Sequence, residues 1–214
     1  MTPAEQSIAS EQICRLAPVV PVLIVEEVAQ AAALAKALVA GGLPALEVTL
    51  RTKAALDVIR AMSEVEGGVV GAGTLLTRAD VRAAKAAGAK FGVSPGATPA
   101  LIEACEDEGL ALLPGASSAS EAMALLERGY TVQKFFPAEQ AGGAAFLRAL
   151  SSPLPQIRFC PTGGISTKNA GDYLSLPNVL CVGGSWVAPK EAVQAGNWEE
   201  VTRLARAATA LAAG

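Results

Sequence analysis

The stretch VVGAGTLLTRADVRAAKAAGAKFGVSP (69–95) holds two apolar runs on either side of an alanine-rich segment. The runs, VVGAGTLL (69–76) and KFGVSP (90–95), are short and carry Gly or Pro, as is typical of β-strands with turns at their ends. The segment between them repeats apolar residues with helical spacing and ends at Gly88, a residue type that commonly follows a last helical turn. The stretch therefore predicts a strand–helix–strand unit with parallel strands.

The same unit recurs at roughly even spacing along the chain, after a predicted lead-in helix over 3–16. The eight predicted strands are 19–25, 43–50, 69–76, 90–95, 110–116, 131–138, 156–162 and 179–186. Their apolar runs are continuous rather than alternating, which indicates strands covered on both faces. Glycines expected to end helices are Gly41, Gly88, Gly109 and Gly129.

Eight strands alternating with helices predict an α/β fold, a (β/α)8 TIM barrel with an N-terminal helix. An open, doubly wound parallel sheet is the alternative. Because no linker or low-complexity tract interrupts the sequence, a single domain over 1–214 is expected.

Composition excludes several classes of function. The net charge is −3 and 51% of the residues are hydrophobic, so there is material for a core but no basic surface for nucleic acid or an anionic membrane. No apolar run is long enough to span a bilayer, and the N-terminus lacks the features of a signal peptide. Four widely spaced cysteines without a CxxC pair predict free, buried thiols in a reducing cytoplasm.

The chain contains no histidine. This excludes Ser/His and Cys/His triads, HExxH zinc sites and a histidine general base. Catalysis would have to use Lys, Glu, Asp, Arg, hydroxyl groups and backbone dipoles, so we expect neither a metal nor a cofactor.

Lys134 lies inside the apolar run TVQKFFPAE (131–139), whereas the other lysines fall in predicted helices, loops or at the first residue of a strand. Burial disfavours the charged form of lysine and makes the neutral, nucleophilic amine available for a Schiff base with a carbonyl substrate. A structural lysine paired with a carboxylate is the alternative.

Glu47 and Arg51 lie in EVTLRT (47–52), at the end of the second predicted strand. Even spacing points both side chains to the same face of a strand. A buried carboxylate suits general acid–base catalysis, and an arginine suits a substrate carboxylate. An internal ion pair explains them equally well.

Two Gly-Gly pairs, in PTGGIS (161–166) and VGGSW (182–186), follow the seventh and eighth predicted strands. Barrel enzymes often bind phosphate at these two loops, where glycine lets the backbone approach an anion. With the lysine, the carboxylate and the arginine, they indicate a class I aldolase for a phosphorylated 2-keto acid.

Six motifs, from about Ala17 to Trp186, carry a family resemblance: EVTLRT, GAGTLL, SPG, KFFPAE, CPTGGIS and VGGSW. In this order and spacing they resemble the bacterial 2-keto-3-deoxy-6-phosphogluconate (KDPG) aldolases, a family that includes 4-hydroxy-2-oxoglutarate (KHG) aldolase activity. The resemblance implies a cytoplasmic, cofactor-free homotrimer of the Entner–Doudoroff pathway that cleaves KDPG to pyruvate and glyceraldehyde 3-phosphate.

The resemblance also implies roles for individual residues. Lys134 corresponds to the imine-forming lysine and Glu47 to the proton-transferring carboxylate, while Arg51 and Thr74 correspond to residues that hold the pyruvate carboxylate. The remaining positions correspond to the hydroxyl contact (Thr162), the pocket lining (Pro95 and Phe136) and the phosphate site (Gly163, Gly164, Gly184 and Ser185).

Other functions remain compatible with these residues. The same chemistry could act on the galactonate epimer of KDPG or on unphosphorylated KHG. A phosphosugar isomerase or synthase on a similar barrel would not need Lys134, and a non-catalytic phosphometabolite-binding barrel would need neither Lys134 nor Glu47. Gly92, inside the fourth predicted strand, has no evident explanation in the sequence.

Overall fold

The computed structural model describes residues 1–212, in which nine short strands mostly alternate with helices. The strands are β1 (Val19–Leu23), β2 (Ala45–Thr49), β3 (Val69–Gly73), β4 (Phe91–Val93), β5 (Ala111–Leu113), β6 (Gly115–Ala116), β7 (Val132–Phe135), β8 (Arg158–Pro161) and β9 (Val182–Gly184). The helices are α1 (Pro3–Cys14), α2 (Val28–Ala40), α3 (Ala55–Ser63), α4 (Arg78–Ala86), α5 (Pro99–Glu108), α6 (Ala119–Glu127), α7 (Gly143–Leu150), α8 (Ala170–Leu174), α9 (Lys190–Gln194) and α10 (Trp198–Thr209), followed by a 3-10 turn (Ala210–Ala212). No helix within residues 1–212 is long and apolar enough to cross a membrane.

All strand pairs are parallel, and the strands form a curled arrangement of two sheets. The larger has the order β5-β4-β3-β2-β1-β9, and the smaller has the order β6-β7-β8. Two isolated bridges connect β8 and the residue after it to the segment that leads into and forms β9: Phe159 to Val179 and Thr162 to Gly183. The alternative doubly wound sheet requires a strand order that reverses direction within the sheet, and the observed order does not.

The fifth predicted strand, 110–116, is divided between the two sheets. Pro114 separates β5, which pairs with β4, from β6, which pairs with β7. Proline has no N–H to donate to a ladder, although its carbonyl still accepts a hydrogen bond from the Lys134 N–H at 2.8 Å. Within the described residues the prediction of eight strands is thus corrected to nine.

Two apolar clusters cover the faces of the strands. The larger lies between the strands and the surrounding helices, and its fully buried members include Leu34 and Leu38 of α2 and Leu46 of β2. The smaller consists of side chains on the inner side of the curl together with Cys14 of α1: Cys14, Val20, Ala45, Phe91, Val93, Ala111, Leu113, Val132, Cys160 and Cys181.

Helix α1 covers the end of the curl where the strands begin, and it does so with polar side chains. The Gln6 carboxamide oxygen accepts the N–H of Leu112, and the Ser7 hydroxyl accepts the N–H groups of Thr131 and Val132. Gln6 and Ser7 are buried. They supply partners for backbone groups at the starts of β5 and β7 that would otherwise be costly to bury.

The glycines at helix ends serve different purposes. Gly109 ends α5 in the left-handed region at φ 63°, as predicted. Gly41 has an ordinary φ of −84°, and its role is spatial: a Cβ there would lie 2.3 Å from the Cβ of Ala205 in α10. Gly92 is explained in the same way, because its Cβ would lie 2.4 Å from Leu75 Cδ1.

Replacing Leu38 by Ala removes a fully buried side chain from the larger apolar cluster. We expect the free energy of unfolding to fall by about 2–5 kcal/mol, from lost transfer energy and from the cavity left behind. Urea denaturation followed by circular dichroism measures it. The control is Met123→Ala, at a side chain 49% exposed on α6, which should change the value by less than about 0.5 kcal/mol. Equal losses in the two variants would contradict the position of Leu38 in the core.

Candidate active site

Lys134 points to the inner side of the curl from the middle of β7. Its ammonium nitrogen lies 3.4 Å from Glu47 Oε1, and both side chains are only 4% exposed. The nitrogen also lies 5.2 Å from the centre of the Phe136 ring. A lysine and a glutamate from strands far apart in the sequence therefore meet in a buried place with little access to water.

The position of Glu47 depends on a glycine in the neighbouring strand. A Cβ at Gly73 would lie 2.2 Å from Glu47 Oε1 and 2.7 Å from its Cγ, so the carboxylate occupies the space that a side chain would fill. Burial raises the pKa of the Glu47 carboxyl, and the charge of Lys134 acts in the opposite direction. A carboxyl with a raised pKa can both accept and donate a proton nearer to neutral pH.

Arg51 lies beyond the strand on which its position was predicted. β2 ends at Thr49, so the even-spacing argument does not apply to Arg51, which is exposed in the following turn. It is instead oriented by Thr74, whose Oγ1 accepts a hydrogen bond from Arg51 Nε at 3.1 Å. Thr74 has φ 61°, a left-handed conformation that is strained for a β-branched residue.

The two glycine loops lie side by side, since the Thr162–Gly183 bridge joins their strands. Gly163 and Gly164 have φ values of 105° and 75°, which only glycine adopts readily. Among the described residues, the backbone N–H groups of Gly164 and Ser185 donate no hydrogen bond to another group of the chain. They are therefore free to bind an anion.

The same glycines are also required by the packing of the chain itself. A Cβ at Gly164 would lie 2.7 Å from Glu139 Cγ, and one at Gly184 would lie 1.8 Å from the Trp186 ring. The prediction explained these glycines by close approach to a phosphate alone. The structure adds a second reason, which is independent of any ligand.

Three further groups lie around the lysine. Thr162 is 6% exposed, and within residues 1–212 its hydroxyl has no hydrogen-bond partner. Ser94 shares both features, although no role was predicted for it from the sequence. Its position directly after the fourth strand was the signal available. Pro95 follows Ser94. The carbonyl oxygen of Pro95 lies 2.4 Å from where a Cβ on Gly115 would be, and Gly115 is the register partner of Lys134.

The arrangement suits imine chemistry on a 2-keto acid. It brings together a buried amine, a carboxyl with a raised pKa, an exposed guanidinium and two loops with free N–H groups. Every residue predicted for the site lies in the middle or second half of a strand or follows one, toward the edge of a parallel sheet where ligands usually bind.

Comparison with known proteins gives consistent results. Residues 10–204 match the family model "Aldolase: KDPG and KHG aldolase". The chain is 52% identical over 208 residues to the 2-dehydro-3-deoxy-phosphogluconate aldolase of Pseudoalteromonas atlantica, with 97% of each chain covered. It is 48% identical over 201 residues to the KHG/KDPG aldolase of Escherichia coli, with 94% of each chain covered.

Solved structures give the same relationship. The KDPG aldolase of Zymomonas mobilis with 3-phosphoglycerate superposes with a TM-score of 0.89 at 48% identity, covering 94% of this chain and 95% of the other. The KDPG aldolase of Legionella pneumophila, with pyruvate captured as a covalent carbinolamine, gives a TM-score of 0.90 at 44% identity, covering 93% and 97%. Together with the buried lysine and carboxylate, these similarities identify the chain as a member of the KDPG and KHG aldolase family.

Proposed function

We propose that this chain is a class I aldolase that cleaves KDPG to pyruvate and glyceraldehyde 3-phosphate through a Schiff base on Lys134. The observation that carries the proposal is the buried amine of Lys134, 3.4 Å from Glu47 Oε1. A relative captured with pyruvate as a covalent carbinolamine supports the same type of intermediate.

The reaction begins when the neutral amine of Lys134 attacks the C2 ketone, and the carbinolamine loses water to form an iminium. Glu47 accepts the proton of the C4 hydroxyl, directly or through a water, and the C3–C4 bond breaks. The bonding electrons move into the iminium to form an enamine, and glyceraldehyde 3-phosphate leaves. Protonation of the enamine and hydrolysis release pyruvate and regenerate the amine, without a metal.

The other site residues bind the ends of the substrate. Arg51, oriented by Thr74, holds the carboxylate next to the ketone. The unpartnered hydroxyl of Thr162 contacts the hydroxylated part, and Pro95 and Phe136 line the pocket. The phosphate binds at the two glycine loops, formed by Gly163, Gly164, Gly184 and Ser185.

The proposal includes a fold and an assembly. The two sheets act as one (β/α)8 barrel in a single domain, supported by the short gap at Pro114 and the Thr162–Gly183 bridge.

A homotrimer is supported by exposed apolar side chains just beyond strand ends, Ile24 at 53% and Leu76 at 59%. Four free thiols suit a reducing cytoplasm.

A second substrate is favoured by one observation. The relative from Escherichia coli is named a KHG/KDPG aldolase, and the chemistry at Lys134 does not involve the phosphate. We expect cleavage of both compounds, with a higher kcat/KM for KDPG because of the glycine loops. Equal kcat/KM values would contradict a phosphate site at these loops. The kcat/KM for the galactonate epimer of KDPG should be measured alongside these two.

The direct test is reduction of the protein with borohydride in the presence of pyruvate, followed by intact-mass measurement and peptide mapping. One reduced pyruvyl group on Lys134 is expected. Lys134→Ala should remain folded, take up no adduct and lose about 10³-fold or more of kcat/KM. The control, Lys168→Ala, removes an exposed lysine just beyond the glycine loop and should be labelled normally. Labelling at another lysine would contradict the mechanism, and no labelling would favour the binding-protein alternative.

Glu47→Gln keeps the shape that fits above Gly73 but removes the acid–base group. We expect the pyruvate imine still to form, while exchange of the pyruvate methyl protons with solvent falls by about 10²-fold or more. Proton NMR in deuterated buffer measures the exchange. Glu26→Gln, at a half-exposed carboxylate paired with Lys190, is the control and should exchange at the normal rate. Unchanged exchange in Glu47→Gln would assign proton transfer to another group.

Thr74→Gly tests whether the strained threonine is there to orient Arg51. Loss of its hydroxyl should raise the KM for KDPG about tenfold, a typical effect of one hydrogen bond to a charged group. The melting temperature should not fall, because glycine adopts a positive φ without strain. Thr74→Ser keeps the hydroxyl and should leave the KM within about twofold. If both variants have a normal KM, Thr74 does not position the arginine.

A further inference from the structure

Three of the four cysteines meet below the active site, although they are far apart in the sequence. Cys14 is the last residue of α1, Cys160 lies in β8, and Cys181 comes one residue before β9. Their sulfur atoms all lie within 4.8 Å of one another, and their exposures are 1%, 2% and 0%. The cluster was not predicted from the sequence because none of the three residues is close to another in the chain.

The spacing of the sulfur atoms suits one ion bound by three thiolates. With bonds of about 2.3 Å to sulfur, three thiolates around one ion lie about 4 Å apart when the ion is in their plane and about 3.5 Å apart when it forms a pyramid with them. Small side-chain rotations would close the remaining distance. Each cysteine comes from a different element, so the folded chain holds the three ligands in place before an ion arrives.

The surroundings of the thiols restrict the ion. The inner cluster to which they belong is otherwise apolar, with Val20, Ala45, Phe91 and Val132 among its members. Within residues 1–212, no histidine or carboxylate completes this group as a fourth ligand. Zinc prefers four ligands. Three thiolates around a divalent ion also leave one buried negative charge, and the nearby Lys134 is already paired with Glu47.

A trivalent ion meets both restrictions. Three thiolates and one As(III) form a neutral group, and the lone pair of arsenic takes the place of a fourth ligand. We propose that Cys14, Cys160 and Cys181 form a binding site for trivalent arsenic or a similar soft, trivalent metalloid. Soft ions of this kind prefer thiolate ligands.

The reaction needs no oxidant or reductant. Arsenous acid, As(OH)3, exchanges its three hydroxyl groups for three thiolates: three As–O bonds break, three As–S bonds form, and the thiol protons leave with the hydroxyl groups as three waters. Arsenic stays trivalent throughout. Because the thiols are buried beneath α1, entry requires this helix to move, so binding to the folded protein should be slow.

Occupation of the site has two structural consequences. The ion would tie the end of α1 to β8 and to the start of β9, which should raise the melting temperature. It would also lie beside the reactive lysine, since Cys160 is the register partner of Lys134. Arsenic should therefore reduce aldolase activity without competing with the substrate.

The test is to incubate the full-length protein with sodium arsenite, both folded and during refolding, and to measure retained arsenic by mass spectrometry after desalting. One arsenic per chain is expected, with three sulfur neighbours and no oxygen in its X-ray absorption spectrum. Because retention is measured directly, the result does not depend on the proposed aldolase activity.

Variants show whether this cluster is the site. Cys14→Ala and Cys181→Ala should each lower the affinity by about 10²-fold or more, since two thiolates remain. Cys105→Ala, at a buried cysteine outside the cluster, should bind like the original chain. Circular dichroism confirms that each variant folds, and Cys14→Val is the replacement if Cys14→Ala does not. Absence of arsenic after both treatments, or equal retention in Cys14→Ala, would overturn the proposal.

Discussion

The site depends on a pair of opposite charges held away from water. Lys134 and Glu47 are each 4% exposed, and their charged atoms lie 3.4 Å apart. Such a pair contributes little net stability, because the cost of removing both charges from water offsets their attraction. Loss of one partner leaves the other charge buried alone. In the proposed mechanism the amine of this pair is the nucleophile, so the interaction that is costly to bury is also the one on which the chemistry would depend.

Glycines shape the space around this pair as much as the reactive side chains do. Gly73 leaves room for the Glu47 carboxylate, Gly183 leaves room for the Thr162 hydroxyl, which lies 2.2 Å from where a Cβ would be, and Gly115 leaves room for the backbone of Pro95. In each case a glycine has no side chain, and a polar group from another segment occupies the space that a side chain would fill. These polar groups thus lie on the same inner side of the curl as the smaller apolar cluster, in the space that the three glycines leave open.

The order of strands and helices, Lys134 and Glu47 were predictable from the sequence because they depend on local patterns: short apolar runs, helical spacing and a charged residue inside a strand. Other features depend on contacts between distant segments. Thr74 orients Arg51 across 23 positions, and Leu75 explains Gly92 from the neighbouring strand. The cysteine cluster likewise arises only when α1, β8 and β9 come together. Pro114 can be read in the sequence as a residue that interrupts a strand. That the two halves of this strand pair in different sheets is known only from the pairing of β5 with β4 and of β6 with β7.

The two ends of the curled sheets differ in a way that confines the chemistry to one of them. At the end where strands begin, α1 satisfies free backbone groups of β5 and β7 with Gln6 and Ser7, and its last residue, Cys14, joins the inner cluster. This end is covered by α1 and packed with apolar side chains. At the other end, strands are followed by Arg51, the strained Thr74 and glycine loops with free N–H groups. In the proposed reaction a charged substrate would approach Lys134 from that end, with its carboxylate and phosphate near the surface and its ketone reaching the buried amine.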